Sequence, residues 1–288
     1  MKRTGAFIEL TKPRITCFIL MSTAIGFLCA SHLNPLWTWL QFFHTLLGTG
    51  LIASGTAALN QWYERKADAL MNRTSKRPLP SGRLGSGEAL AFGILLSIAG
   101  FVELWLGANL LTGVLGAFTL VTYLFAYTPL KQRSKHSTTI GAIPGAMPPL
   151  IGYAAAANGL GKEAWVLYLI LFLWQFPHFY AIAWMYREDY GRAGIQMLPV
   201  VEPDGESTAR QILWFSLALV PISLLPTWFQ MAGNVYLIGS ALLGILMVWA
   251  GFRVSQDHTL IRARQVLLAS VIYLPLLYGL LVFDGPRV

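Results

Sequence analysis

The chain has 288 residues, of which 55% are hydrophobic and only 12% are charged. This composition excludes a soluble globular domain and indicates an all-α polytopic membrane protein. The formal net charge of +8 favours anionic lipid or an anionic substrate as a binding partner and does not indicate nucleic-acid binding. Cys17 and Cys29 both fall in the first apolar run, so neither a disulfide framework nor a cysteine metal site is indicated.

Nine apolar runs follow one another, each near the roughly twenty residues that a helix needs to cross a bilayer. They cover residues 15–31, 37–60, 88–107, 110–127, 138–157, 164–186, 210–230, 235–252 and 265–283. No soluble domain or linker separates them, so residues 1–288 are expected to form one integral-membrane domain. All Lys and Arg residues except Lys162 and Arg287 fall on the side of the N terminus. The positive-inside rule therefore predicts a cytoplasmic N terminus, cytoplasmic charged loops and a C terminus on the opposite side.

The stretch NQWYERKADALMNRTSKR follows the second apolar run and holds the strongest functional signal. No Gly or Pro interrupts residues 56–77, so a helix is permitted there. Asn60, Glu64 and Asp68 are spaced four residues apart and would lie along one helix face, each about 6 Å of rise from the next. Such hard oxygen ligands suit Mg²⁺ shared with phosphate oxygens, and the basic residues that follow suit the remaining phosphate charge. The alternative is a solvated helix with ion pairs between residues four apart.

Spans five and six are the least regular. Residues 138–157 contain three prolines and three glycines, so we expect a broken backbone that faces the interior of the bundle. Span six carries His178, and a lone intramembrane histidine is either packed in the core or functional. Span six ends in a second acidic segment that contains Asp189. Because spans two and six are both even-numbered, the two acidic segments are expected on the same side of the membrane.

Several motifs in chain order carry a family resemblance. NQWYERKAD with MNRTSKRPLPSG resembles the first aspartate-rich motif of the UbiA-type intramembrane prenyltransferases, and EDY with AGIQMLP resembles their second motif. The segments LTKPRI, YTPLKQR, GAIPGAMPPLIGY and WQFPHFYAIA are similar to those of the protohaem IX farnesyltransferase (haem O synthase) branch. The resemblance covers residues 9–199, and residues 200–288 match in span pattern only. Gln61 and Glu64 stand where aspartates are usual.

The resemblance implies a UbiA-type prenyltransferase bundle of nine transmembrane helices that uses Mg²⁺. It also implies transfer of the farnesyl group of farnesyl diphosphate to a vinyl group of haem B with addition of water, which gives haem O and diphosphate. By the same resemblance, the metal ligands would be Asn60, Glu64, Asp68 and Asp189. The diphosphate would contact Arg73, Arg77, Lys131 and Arg133, and haem would contact His178. The catalytic residues would be Asp68, Asp189 and Lys131.

The partners implied are farnesyl diphosphate, haem B and the lipid bilayer of a bacterial-type inner membrane, with haem A synthase or a terminal oxidase assembly factor as protein partners. Prenylation of a quinone precursor or chlorophyllide by the same apparatus is the nearest alternative. A transporter of an anionic amphiphile is an alternative from another class, although transporters place ionisable groups near the bilayer midplane. A non-catalytic haem carrier is a third alternative, but it would not need Asn60, Glu64 and Asp68 on one helix face.

Overall fold

The structure, a computed structural model, describes residues 2–285, and this part of the chain is built from helices without strands. The helices are α1 (Lys2–Leu10), α2 (Pro13–Ser31), α3 (Trp39–Leu70), α4 (Ser86–Gly107), α5 (Leu110–Val121), α6 (Thr128–Leu130), α7 (Ser137–Gly145), α8 (Pro148–Ala157), α9 (Lys162–Met185), α10 (Arg187–Arg192), α11 (Leu198–Val201), α12 (Glu206–Trp228), α13 (Asn234–Gln256) and α14 (Leu260–Phe283). A π-helix, Thr122–Tyr127, joins α5 to α6.

Nine helical segments of the described chain are long and apolar enough to cross a membrane. Two of them are composite, because span four joins α5 to α6 through the π-helix and span five joins α7 to α8. The predicted nine-span, all-α fold is therefore confirmed. Arg287, which the charge pattern assigns to the side opposite the N terminus, lies outside the described residues.

The second span is longer than its apolar run. α3 continues past residue 60 and ends at Leu70, because no Gly or Pro breaks it and its last turns are covered by other parts of the protein. The helix stops seven residues short of Arg77, since Met71 adopts an extended backbone and turns follow. Asn60, Glu64 and Asp68 consequently occupy the last turns of a helix that begins at the exposed Trp39, at the opposite end of the span.

The fifth span is broken and buried, as its prolines and glycines predict. α7 ends at Gly145, and Pro148 starts α8 at a position where its missing N–H costs little. In the most apolar stretch of this span 72% of the residues are buried, against 17% in span four. Span five therefore lies inside the bundle, and its broken backbone is enclosed by protein.

Two glycines allow α2 and α8 to cross with their backbones in contact. A Cβ atom on Gly152 would lie 1.9 Å from the carbonyl oxygen of Thr23, and one on Gly26 would lie 2.0 Å from the carbonyl oxygen of Pro149. Small residues are the usual means of such close approach in membranes, where the gain comes from van der Waals contact and not from the hydrophobic effect. This crossing fixes the position of span five beside span one.

Gly152→Ala is expected to destabilise the protein by about 1–3 kcal/mol or more, because the added methyl group meets backbone that has no room to move. The measurement is thermal unfolding of the purified protein in detergent. Gly279→Ala is the matched control: Gly279 is exposed on α14, and a Cβ there meets no described heavy atom within 4 Å. The control should be neutral or stabilising by up to about 1 kcal/mol. Equal melting shifts in both variants would show that the crossing is not tightly packed.

α1 lies across the end of the bundle at which α3 ends, an element that the sequence analysis does not predict. Ala6 and Leu10 pack against Ala58 of α3 and against Leu84, which precedes α4. The buried side chain of Gln61 donates a hydrogen bond from Nε2 to the carbonyl oxygen of Leu10 at 2.9 Å. Gln61, which by the motif resemblance stands at an aspartate position, thus anchors α1 to α3.

Candidate functional site

Three buried carboxylates lie at the end of the bundle that α1 covers. Glu64 and Asp68 are on the last two turns of α3, and Asp189 is on α10, directly after α9. The backbone N–H of Arg73, five residues after Asp68, donates to Asp189 Oδ2 at 3.2 Å. The segments that follow spans two and six are therefore in contact at one end of the bundle.

Each of these carboxylates is paired with a cation. Lys131 Nζ lies 2.9 Å from Glu64 Oε1, and Arg77 Nη1 lies 2.9 and 2.8 Å from the two carboxylate oxygens of Asp68. Arg192 forms an ion pair with Asp189 from three residues away. Buried charges are tolerated only when they are neutralised and hydrogen-bonded. We call Glu64, Asp68, Asp189, Lys131, Arg77 and Arg192 the charge network.

Lys131 is held in place by the irregular end of span four. It directly follows α6, and its Nζ lies 4.7 Å from the ring centroid of Tyr127, the last residue of the π-helix. Burial opposes the charged form of Lys131, but the Glu64 carboxylate and the nearby tyrosines more than offset this effect and raise its pKa well above the ordinary value. Lys131 is therefore a permanent positive charge at physiological pH.

Lys12 is a site residue to which the sequence analysis assigned no role. Its Nζ donates to Asn60 Oδ1 at 3.2 Å, and Asn60 Nδ2 donates to Thr128 Oγ1 at 3.3 Å. Its backbone is left-handed, with φ 49°, a strained conformation for lysine that often marks a functional site. Burial, and to a smaller extent the charge of Arg77, lower the pKa of Lys12 to about 7. The sequence feature that could have pointed to Lys12 is its position directly before the proline that starts span one.

The four residues predicted to bind diphosphate fall into three positions. Arg77 and Lys131 belong to the charge network. Arg73 is at its exposed rim, where its guanidinium stacks on Tyr186 at 4.6 Å and donates to the Tyr190 hydroxyl at 3.0 Å. Arg133 is exposed, and its side chain forms no hydrogen bond or ion pair with the described residues. The structure therefore brings three of the four toward the carboxylates and leaves Arg133 outside.

An apolar cavity of about 140 Å³ begins at Lys12, which is close enough to the charge network for the charges of Glu64 and Arg77 to act on it. Lys12 is the one charged residue in its wall among the described residues, and Tyr123 of the π-helix lies beside it. From Thr56 the wall continues along α3 to Thr49, which is about 10 Å deeper in the bundle at 1.5 Å of rise per residue. α2, α5, α7 and α8 form the remaining walls, so the broken fifth span lines the cavity.

His178 is separate from the charge network. It lies on α9, where its Nδ1 is 2.8 Å from Ser270 Oγ on α14 and its ring stacks on Trp174 at a centroid distance of 4.7 Å. Its Nε2 has no hydrogen-bond partner among residues 2–285. Three residues earlier on α9, Gln175 packs against Gly145 in the wall of the cavity.

The charge network and the cavity together have the form of a site for an anionic head group on a hydrocarbon chain. The model of the UbiA prenyltransferase family matches residues 19–281. A protein of Solibacter usitatus strain Ellin6076 named protoheme IX farnesyltransferase is 63% identical over 289 residues, covering 97% of this chain and 98% of that protein. The chain belongs to the UbiA prenyltransferase family. The resemblance stated from the motifs is thus confirmed.

Two solved structures share the fold of this UbiA prenyltransferase. A structure described as digeranylgeranylglyceryl phosphate synthase superposes with a TM-score of 0.81 at 19% identity and covers 99% of both chains. A UbiA homologue from Archaeoglobus fulgidus bound to GPP and Mg²⁺ superposes with a TM-score of 0.65 at 15% identity, covering 96% of this chain and 99% of the homologue. At these identities the likeness concerns the fold alone.

The donor set of this UbiA prenyltransferase fits a hard divalent cation. Glu64, Asp68 and Asp189 offer carboxylate oxygens, and Asn60 offers an amide oxygen, all near the same end of the bundle. In the described part of the chain no three His, Cys, Asp or Glu side chains are close enough to hold a metal by themselves. That arrangement suits a cation such as Mg²⁺, which takes one or two carboxylates and fills its other positions with substrate phosphate and water.

Proposed function

We propose that this chain is a protohaem IX farnesyltransferase, which transfers the farnesyl group of farnesyl diphosphate to a vinyl group of haem B to form haem O for terminal oxidases. The observation that carries the proposal is the charge network at the mouth of an apolar cavity. A diphosphate and a polyprenyl chain need these two environments side by side. The near full-length relative from Solibacter usitatus, which has this name, supports haem as the acceptor.

In the resting site the carboxylates and cations neutralise one another, and binding of substrate would exchange these partners. Asn60, Glu64, Asp68 and Asp189 would hold Mg²⁺, which when bound supplies positive charge to the diphosphate oxygens. Lys131 and Arg77 are then free to turn from the carboxylates to the same oxygens. Lys12, in the cavity wall, would contact the phosphate nearest the allylic carbon.

The reaction breaks the bond between the allylic carbon and the diphosphate oxygen, and the electron pair leaves with diphosphate. Lys131 and Arg77 stabilise the charge that develops on the leaving group, an electrostatic contribution that is large where water is excluded. The vinyl group attacks the allylic carbon to form the new carbon–carbon bond. Water adds to the resulting cation on the porphyrin side chain, and its proton passes to diphosphate or to a carboxylate such as Asp189.

The apolar cavity protects the allylic cation from premature capture by water. Its walls carry mainly aliphatic side chains, and the hydroxyl group of Thr56 is already engaged, since its Oγ1 donates to the Ile52 carbonyl at 2.8 Å. Tyr123 adds an aromatic ring beside Lys12 at the mouth. The farnesyl chain would occupy this space with its diphosphate at the charge network.

We place the charge network on the cytoplasmic side of a bacterial inner membrane. Further basic residues form ion pairs in the segments that precede or join the spans on the side of the N terminus: Arg3 of α1 pairs with Glu88 at the start of α4, and Lys135 pairs with Glu202. This concentration of basic residues supports a cytoplasmic N terminus by the positive-inside rule.

The test is incubation of the purified protein with haem B, labelled farnesyl diphosphate and Mg²⁺, followed by mass analysis of the porphyrin. A product heavier than haem B by one farnesyl group and one hydroxyl group, lost on chelation of the metal, is the expected result. Unmodified haem together with a prenylated quinol precursor supplied in the same mixture would assign the other acceptor. No transfer to either acceptor would contradict the proposed function.

Ala53→Phe is expected to shorten the cavity and shift the preference among donors. Ala53 lines the cavity one turn from Thr49, so a phenyl ring there would occupy space needed by the distal isoprene units. We expect kcat/KM for farnesyl diphosphate to fall about 10–200-fold, while a ten-carbon donor is affected less. The matched control is Ala99→Phe, at an exposed position of α4, which should leave both donors unaffected. An equal fall in kcat/KM for short and long donors would show that the isoprenoid chain of the donor does not bind along this wall.

A further inference from the structure

A hydrogen-bond chain between α9 and α14 has no role in the charge network. His178 Nδ1 lies 2.8 Å from Ser270 Oγ, and Ser270 Oγ lies 2.7 Å from the carbonyl oxygen of Leu267. Trp174 Nε1 donates to the carbonyl oxygen of Ser270 at 2.8 Å. Ser270 is fully buried, so these bonds are made away from water and are not exchanged with solvent.

The direction of these bonds determines which nitrogen of His178 carries the proton. A carbonyl oxygen only accepts, so the short contact with Leu267 uses the single hydroxyl proton of Ser270. Both short contacts of Ser270 Oγ are hydrogen bonds only when Oγ accepts from His178, so this arrangement assigns Nδ1 as the donor. In a neutral imidazole this leaves Nε2 with an unprotonated lone pair.

The ring of His178 is also fixed in orientation. Trp174 stacks on one face with an interplanar angle of 21°, and Phe179 meets the ring edge-on at a centroid distance of 5.2 Å. Trp174 is itself anchored on Ser270 through its indole N–H. Nε2 is the polar atom of the ring that has no partner among the described residues, and His178 is only partly buried.

We propose that Ser270 is a positioning residue that prepares His178 to bind the iron of the haem substrate through Nε2. This inference rests on the proposed function, because haem is the ligand. A histidine that binds a metal commonly donates its other ring N–H to a neighbouring acceptor, which fixes the tautomer and makes the ligating nitrogen more basic. Ser270 supplies that acceptor here, and Trp174 holds the plane of the ring.

The experiment measures haem binding without turnover, on the full chain in detergent. Haem B is titrated into wild type, His178→Ala, Ser270→Ala and Ser270→Thr, and the iron–histidine stretching band of the ferrous complexes is recorded by resonance Raman spectroscopy. Binding of labelled farnesyl diphosphate reports on an intact fold in every variant. Ser216→Ala is the matched control, because Ser216 is equally buried and donates to the Ile212 carbonyl at 2.7 Å but has no histidine partner.

We expect His178→Ala to lose the band and to regain an iron–imidazole band when free imidazole is added. Ser270→Ala should weaken haem binding about 10–100-fold and move the band to lower frequency, because Nδ1–H has lost its acceptor. Ser270→Thr keeps a hydroxyl at the same position and should remain close to wild type, as should Ser216→Ala.

An unchanged band and affinity in Ser270→Ala would overturn the proposal, and so would haem bound by wild type with no histidine band. A wild type that prenylates haem while His178→Ala binds haem equally well would remove the inference and leave the proposed function intact. A wild type that neither binds nor prenylates haem would remove the proposed function itself.

Discussion

Asp68→Asn is expected to lower the rate of farnesyl transfer about 10²–10³-fold, the range observed when one group that stabilises developing charge is removed. Asp68 is fully buried at the end of α3, and both of its oxygens accept from Arg77. The amide keeps the shape of the side chain but removes its negative charge. The variant therefore weakens a predicted metal ligand and at the same time leaves Arg77 without a negative charge to pair with.

The measurement is the amount of farnesylated haem formed per unit of membrane protein at several Mg²⁺ concentrations. A higher metal concentration should recover part of the lost rate, because a weakened metal site is filled by mass action. Asp257→Asn is the control, since Asp257 is an exposed carboxylate between α13 and α14 whose closest basic partner, Arg262, is 3.7 Å away. A rate for Asp68→Asn equal to that of the control would show that Asp68 has no role in the transfer reaction.

Lys131→Met is expected to reduce the free energy of unfolding by about 3–5 kcal/mol, because it leaves the buried Glu64 carboxylate without a partner. The double variant Glu64→Gln, Lys131→Met should regain most of this stability, since neither charge remains. Farnesyl transfer should stay abolished in the double variant, because a diphosphate contact and a predicted metal ligand are both missing. The double variant is thus expected to be nearly as stable as the wild type but inactive.

Denaturant unfolding in detergent and the farnesyl-transfer assay together test this expectation. Lys135→Met is the matched control in the same loop: the side chain of Lys135 is 40% exposed and pairs with the partly exposed Glu202, whereas that of Lys131 is 15% exposed. The control should change the unfolding free energy by no more than about 1 kcal/mol. Similar losses in the two single lysine variants, or a double variant that transfers farnesyl, would contradict the assigned role of the pair.

The charge network also explains how a membrane enzyme can keep six ionisable groups ready for a charged substrate. Without partners, the buried carboxylates and Lys131 would be costly. As internal pairs they neutralise one another at rest, and in the proposed reaction they would be exchanged for a cation and an anion that arrive together as the metal diphosphate. Because one Mg²⁺ offsets most of the diphosphate charge, this exchange would replace one set of pairs by another and leave few charges uncompensated.

Several features of this protein could be predicted from its sequence because they depend on local patterns. The nine spans are determined by the length of each apolar run. The register of Asn60, Glu64 and Asp68 follows from helical periodicity, and the break in span five follows from its prolines and glycines. The motif pattern was also specific enough to identify the family.

The pairing of side chains was decided by the tertiary structure alone. Lys131 and Glu64 are 67 positions apart, and His178 and Ser270 are 92 positions apart. Such contacts depend on the rotation of each helix about its axis and on how closely neighbouring helices pack, as at Gly152 and Thr23. In a bilayer, hydrophobicity specifies that a helix crosses the membrane but not which face meets which neighbour. For this reason Lys12, Arg192 and Ser270 had no assigned role in the sequence, and Arg133 was placed at the diphosphate although its side chain is outside the charge network.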